Sequence, residues 1–181
     1  MITTFVCKNT GGFFRISATE KALCSIERLP QSVPVSSVLP LLVKIANEQL
    51  DEYFRGERTT FTLPLQFRGT PFQLSVWKCI VAIPYGETCS YTDIAQAIGR
   101  PTSVRAVGAA CRANPFLIVV PCHRVVGKKG KLTGYVNGLT EKMRLLQLEK
   151  DILCCKGLHA TLSESTSPFV TTLALQPPKK E

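Results

Sequence analysis

IVVPCHRVVG, residues 118–127, wedges a cysteine between a proline and a histidine at the end of an apolar run. A lone cysteine behaves as a small hydrophobe, and a lone histidine at an apolar edge is ordinarily a satisfied core residue. Set side by side after a run that reads as a buried strand, Cys122 and His123 read instead as a placed nucleophile and a candidate base. What that nucleophile attacks is decided by the residues around it.

Downstream, Leu139 to about Cys154 has helical periodicity, with Leu145, Leu146, Ile152 and Leu153 on one stripe. Glu149 sits in the middle of that stripe. A buried carboxylate costs several kcal/mol unless paired. Either the helix is rotated and Glu149 reaches solvent at an edge, or a buried partner awaits it, for which His123 is the natural candidate.

Upstream, Thr70-Pro71-Phe72-Gln73 is a capping box with Pro at the first helical position, and Phe72, Val76, Ile80 and Val81 form the stripe behind it. Ser90 and Asp93 repeat the start signal for a helix carrying Ile94, Ala95 and Ile98 inward, which stops at Gly99 and Pro101. A further helix is predicted over 102–113. It has Val104, Val107, Gly108 and Cys111 inward and Arg105, Ala106, Ala109 and Arg112 outward. Two short helices joined through a glycine turn have helix-turn-helix spacing, which any helical hairpin shares. The outer face is more telling. Small side chains bracketed by arginines allow close approach by a phosphate-bearing groove.

The first 34 residues alternate short apolar runs with turn signals and predict a small antiparallel sheet. A helix follows from Ser36 to about Tyr53, with Leu41, Leu42, Ile45, Ala46 and Leu50 as its stripe, then one more strand at TTFTLPL, 59–65. Residues 1–68 are therefore read as an α/β domain with no chemistry of its own. Residues 69–154 form the second domain, and residues 155–181, rich in Ser, Thr and Pro, a flexible tail of which 157–181 are expected to be dispensable for activity.

The chain has 181 residues, 45% of them hydrophobic, and 22 Lys and Arg against 13 Asp and Glu give a net charge of +9. It is globular, and its basic excess favours polyanions, nucleic acid above all. Its 8 cysteines show no C-x-x-C spacing and only His123 and His159 accompany them, so a zinc site has little support. Scattered cysteines without a leader point to a reducing intracellular compartment, cytoplasmic or nuclear, and no run is long enough to span a bilayer.

Read together, FRGTPFQLSVWKCIVAIPYGETCSY (67–91), RAVGAACRANP (105–115), VVPCHRVVG (119–127), GYVNGL (134–139) and LLQLE (145–149) resemble the O6-alkylguanine-DNA alkyltransferases, the methylated-DNA–protein-cysteine methyltransferases. EQLDEYFRGERTTFTLPL (48–65) resembles that family's domain junction. The resemblance implies a ribonuclease-H-like α/β N-terminal domain followed by a helical domain with a winged helix-turn-helix. It implies direct-reversal repair in which Cys122 takes an alkyl group from O6 of guanine, and by extension from O4 of thymine, once per chain and without cofactor. His123 and Glu149 would be a relay reaching the thiol through water and lowering its pKa, and Asn114 would hold the turn behind the cysteine. Tyr91 would help rotate the nucleotide and protonate the leaving base.

In the same way Arg105 would fill the gap in the duplex, with Ala106, Ala109, Arg112, Ser90 and Arg124 contacting DNA. Tyr135, Val136, Asn137, Pro121 and Val125 would wall the base pocket. The implied partner is double-stranded DNA carrying O6-alkylguanine, met by a monomer with no obligate protein partner. Some family members bind zinc in the N-terminal domain, but Cys7 and Cys24 have no nearby histidine, so no metal is carried over. A soft thiolate suits displacement at a saturated carbon. The base must leave the stack for the thiol to reach it. Two other readings remain from the residues alone: a Cys–His hydrolase, for which no oxyanion-hole motif is visible, and a non-catalytic DNA-binding module.

Overall fold

Alternation of apolar and polar residues near the N-terminus becomes a three-stranded antiparallel meander, β1 Thr3–Asn9, β2 Gly12–Ala18 and β3 Leu23–Leu29. The computed structural model describes residues 1–29 and 33–157. The tail expected over 155–181 therefore lies outside the described residues from 158 onward. Pairing runs from Thr3↔Ala18 to Asn9↔Gly12 and from Phe13↔Leu29 past Ile16↔Ile26. Because strand side chains alternate faces, Phe14 and Ile16 share one face and are fully buried, with Cys7, Leu23 and Ile26 beside them.

Helix α1, Leu41–Phe54, covers that face with only part of the expected stripe. Val43, Ala46, Leu50 and Tyr53 point inward, whereas Leu41 is 73% exposed and Ile45 is at the surface. Apolar residues occur on both sides of this helix, so periodicity left its rotation open. The sheet selected the row that ends in an aromatic ring. The strand expected at 59–65 does not form. Pro64 has no N–H to extend a ladder, and contact with β3 is confined to one parallel bridge, Leu23↔Leu65, with Leu23 N–H donating to Pro64 O at 2.8 Å.

The remaining helices are α2 Pro71–Val81, α3 Tyr91–Ala97, α4 Val104–Arg112 and α5 Leu139–Cys155. Both capping boxes form as the sequence specifies, Thr70 with Gln73 and Ser90 with Asp93. Between α2 and α3 lies β4, Cys89–Ser90, which pairs in parallel with β5, Val125–Val126. Trp77 locks α2 to α4 by donating from Nε1 to Ala110 O at 2.9 Å. On α4 the inward and outward faces are as read from the sequence, with Ala110 added to the buried side.

The apolar run 116–120 is buried, yet it is a turn and not a strand. Val120 N–H returns to Phe116 O at 3.0 Å, and Ile118 is held at φ 71°. A β-branched residue in the left-handed region is strained, by about 1–3 kcal/mol, and persists only where its surroundings over-determine it. Ile26 of β3 supplies part of that determination, donating to Pro115 O and accepting from Leu117 N–H at 2.8 and 3.0 Å. Phe116 stands edge-on to Phe67, with ring centroids 5.1 Å apart, and Phe67 stacks on Trp77. One continuous core therefore runs from the meander to the turn before Cys122.

Among the described residues no helix is long and apolar enough to cross a membrane, and no group of three or more His, Cys, Asp or Glu is placed to hold a metal ion.

Phe116 is fully buried at the junction of the sheet, α2 and the strained turn. Phe116→Ala should lower the unfolding free energy by about 3–5 kcal/mol. Urea titration should show the midpoint falling with little change in slope; a loss under about 1 kcal/mol would mean the turn does not depend on this ring.

Candidate active site

Cys122 opens a single 3₁₀ turn, Cys122–Arg124, directly after the strained segment. A helix of one turn is too short for a substantial dipole to stabilise a thiolate. Asn114 performs the bracing instead. Its Nδ2 donates to Val120 O at 2.8 Å and to Cys122 Sγ at 3.3 Å, while its Oδ1 accepts from Phe116 N–H at 2.9 Å. One amide side chain both closes the turn and points a donor at the sulfur.

Behind the turn, the carboxylate in the apolar stripe has its partner. Glu149 is fully buried and its Oε1 accepts from His123 Nε2 at 2.8 Å. Arg124 forks onto the same carboxylate from Nε at 3.0 Å to Oε2 and from Nη2 at 2.9 Å to Oε1, and its Nη1 donates to Ile83 O at 2.7 Å. Gly86 N–H donates to Oε2 at 2.9 Å. Gly86 lies at φ +80°, and a Cβ there would fall 2.1 Å from Leu153 Cδ1, so glycine is required for this approach. Tyr53, from α1, donates its hydroxyl to Oε1 at 2.7 Å and lies 3.4 Å from His123 Nε2.

Charge states follow from these contacts. Burial alone would raise the Glu149 carboxyl, but the His123 hydrogen bond and the Arg124 guanidinium overcome it and hold it at about 2. Burial keeps His123 below its ordinary range, against the pull of Glu149, so the imidazole is neutral at neutral pH. With Nε2–H committed to an ionised carboxylate, Nδ1 is the acceptor nitrogen, a tautomer assigned from the network. Nδ1 is buried with no partner among the described residues. The Cys122 thiol moves opposite to the sequence expectation. Burial pushes it up, and the Asn114 hydrogen bond and Lys142 only partly offset that. At rest it is a protonated thiol.

Cys122 lines a cavity of about 470 Å³ with Tyr91, Arg105, Ala109, Arg112, Tyr135 and Val136. Tyr91 donates its hydroxyl to Thr133 O at 3.1 Å, and burial raises its pKa, so it stays protonated. Tyr135 is held still higher by burial, and its hydroxyl has no partner among the described residues. Lys142 is buried with Nζ donating to the carbonyls of Val125 and Thr133, which ties the 133–136 wall to β5.

Several sequence expectations are placed elsewhere. Arg124 was read as a DNA contact, but it is 5% exposed and committed to Glu149 and to the ring face of Tyr85. Val125 is fully buried in the β4–β5 pair, and Pro121 lines a cleft on the far side of the turn, with Tyr85 and Thr59, so neither walls the Cys122 cavity. Ser90 is committed to its capping box, while Asn137 is exposed outside the cavity lining. Sequence reasoning missed Cys111, Gly108, Thr133 and Gly134 as cavity residues, and Lys142 and Tyr53 as buried polar groups. Lys142 at i−7 from Glu149 carried a usable signal, since seven residues are two helical turns and place it on the buried stripe.

Residues 71–151 match the family model described as 6-O-methylguanine DNA methyltransferase, DNA binding domain. The inducible methylated-DNA–protein-cysteine methyltransferase of Bacillus subtilis is 56% identical over 102 residues, 56% of this chain and 57% of that protein, so the match spans less than two thirds of the relative's length. The methylated-DNA–protein-cysteine methyltransferase of Methanosarcina barkeri is 53% identical over 60% of this chain and 68% of its own. Among solved structures, Mycobacterium tuberculosis O6-methylguanine methyltransferase superposes with a TM-score of 0.74 at 42% identity, covering 83% of this chain and 94% of that one. Mycobacterium tuberculosis OGT in complex with DNA gives 0.73 at 43%, covering 81% and 92%.

The pair His123–Glu149 makes stability fall in acid in two stages. A buried neutral histidine contributes stability above its unfolded pKa of about 6.5 that is lost as pH falls below it. A depressed carboxylate contributes stability above its unfolded value of 4.5, lost as pH falls from there to about 2. Unfolding free energy measured across pH 2–8 should therefore drop in both windows. Glu149→Gln should shrink the lower stage and cost about 3–5 kcal/mol at pH 7 by leaving Arg124 buried without its counter-charge. An unchanged pH profile would mean Glu149 is not paired in solution.

Proposed function

The chain belongs to the 6-O-methylguanine DNA methyltransferase family, and on that footing we propose that it repairs O6-alkylated guanine in duplex DNA by taking the alkyl group onto Cys122 in one irreversible event. One observation carries this reading. A protonated, buried thiol lies in a cavity whose outer rim is Arg105, Ala109 and Arg112 of α4, with a neutral imidazole backed by a carboxylate behind it.

The step balances without a cofactor. The Cys122 proton passes through a bridging water to His123 Nδ1. The thiolate attacks the saturated carbon on O6, the carbon–oxygen bond breaks as the carbon–sulfur bond forms, and the departing guanine takes a proton from the Tyr91 phenol. The raised thiol pKa makes proton removal part of the reaction, so the sulfur is ionised as the lesion arrives. Asn114 Nδ2, already on Sγ, stabilises the developing anion. A thioether has no easy leaving group, and the chain is consumed. O4-alkylthymine presents the same kind of carbon and is a second substrate in this reading.

For the base to enter, the nucleotide rotates out of the duplex. The exposed face of α4, bare at Ala106 and Ala109, supports close approach to a groove, with Arg105 filling the vacated stack and Arg112 on phosphate. We read α3 and α4 as a helix-turn-helix with the β4–β5 pair and the following turn as its wing, and the β1–β3 meander with α1 as a ribonuclease-H-like domain ending near residue 68. The protein acts as a monomer. Eight unpaired cysteines suit a reducing compartment that holds DNA, the cytoplasm or the nucleus.

The test is intact-protein mass after incubation with duplex DNA carrying O6-methylguanine. One methyl per chain, mapped to the peptide containing Cys122 and lost in Cys122→Ala, is expected. Catalytic turnover, or methyl persisting in Cys122→Ala, would overturn the reading. On the same substrates Arg105→Ala should lose most of its rate on duplex and almost none on free O6-alkylated base. Arg112→Ala should weaken single- and double-stranded DNA alike and flatten the salt dependence. Equal losses of Arg105→Ala on all three would place Arg105 inside the active site instead.

A further inference from the structure

The methyl-transfer chemistry above makes no use of Tyr53, yet this side chain touches its centre. Tyr53 is fully buried on α1, with its ring edge-on to Phe54 and Tyr85 at centroid distances of 5.3 and 5.9 Å and tilted against Phe61. Its rotamer is fixed by aromatic contacts on several sides. Its hydroxyl ends 2.7 Å from Glu149 Oε1 and 3.4 Å from His123 Nε2. We propose that Tyr53 is a positioning residue for alkyl transfer: by donating to the same carboxylate oxygen that receives His123 Nε2–H, it holds the relay in the tautomer that leaves Nδ1 free to take the thiol proton.

The argument is one of donors and acceptors. An ionised carboxylate only accepts, so the phenol proton is committed to Oε1. A ring switched to the Nδ1–H form would turn a bare Nε2 lone pair toward Oε1 at 2.8 Å, and Tyr53 has no proton left to offer it. That tautomer is repelled on both sides. The charged and titratable groups facing His123 are Glu149 and Lys142 from α5, Arg124 from its own turn and Tyr53 from α1, with Tyr85 behind Arg124. Tyr53 is the one that comes from the N-terminal unit. A chain segment with no chemistry of its own thus sets the protonation pattern of the site.

This inference rests on the alkyl-transfer reading, and the experiment separates the two. Single-turnover transfer from O6-methylguanine duplex is measured across pH for the parent, Tyr53→Phe, Glu149→Gln, the double variant, and Val43→Ala as a control for packing loss on α1. Tyr53→Phe keeps the ring and should slow transfer at neutral pH by about threefold to tenfold, the size of one lost hydrogen bond. Removing a donor leaves more charge on Glu149 and makes the imidazole more basic, so the acid limb of the profile should move up by about half a pH unit. In the Glu149→Gln background the same substitution should add nothing further. Val43→Ala should lose thermal stability while keeping the parent profile. A Tyr53→Phe profile identical to the parent's, or a fully additive loss in the double variant, overturns the role of Tyr53 while leaving alkyl transfer standing. No transfer by the parent itself overturns both.

Discussion

A single buried carboxylate organises this protein. Glu149 receives hydrogen bonds from α1, from the loop after α2 and from the Cys122–Arg124 turn, so that elements far apart in sequence converge on its two oxygens. In an apolar stripe such a charge would be prohibitive alone, and the arrangement is stable because every lone-pair direction has a donor. The cost of removing any one donor is therefore borne by the others. The same saturation that makes the carboxylate tolerable also orients the imidazole next to the reactive thiol, so stability and chemistry depend on one set of bonds.

A second constraint is geometric. The chain reaches Cys122 through a buried turn with Ile118 in a left-handed conformation, braced by Asn114 inside and by the edge of β3 outside. A strand at this place would have carried the cysteine onward along a sheet. A strained, tightly bonded turn stops it at the floor of the cavity with little freedom to move. For the in-line displacement proposed above, such rigidity would hold the sulfur near one approach direction.

Burial also sets the character of the nucleophile. Cys7 at about 11, with Cys89 and Cys111 at about 12, are all pushed up by desolvation, and Cys122 moves in the same direction. What distinguishes Cys122 is its neighbourhood, an amide donor on the sulfur and an acceptor imidazole one residue on. A thiol that burial keeps protonated is a poor nucleophile toward solution electrophiles at rest. In the single-event reaction proposed above, that protection has an evident use.

The sequence by itself determined the local facts: two capping boxes, the inner and outer faces of α4, the antiparallel meander, and the anomaly of Glu149 in an apolar stripe. Each of these depends on spacing along the chain, which hydrophobic periodicity and capping chemistry report directly. It also carried the Cys122–His123 juxtaposition. Tertiary structure alone decided the rest, and each difference has a physical reason. The run 116–120 has strand composition, but the Asn114 side-chain amide, six residues before Val120, and a bridge to β3 bent it into a turn. TTFTLPL has strand composition too, but Pro64 removes a donor and limits its contact to one bridge. Arg124 carries the composition of a DNA contact and became the interior counter-charge of Glu149, because a buried carboxylate demands a cation and the fold brings Arg124 onto it. Tyr53 lay on a helix whose rotation the periodicity left ambiguous, so its place at the relay was invisible until the sheet chose which face of α1 to bury. Contacts among residues distant in sequence leave no period to read, and the donors that gather on Glu149 are contacts of that kind.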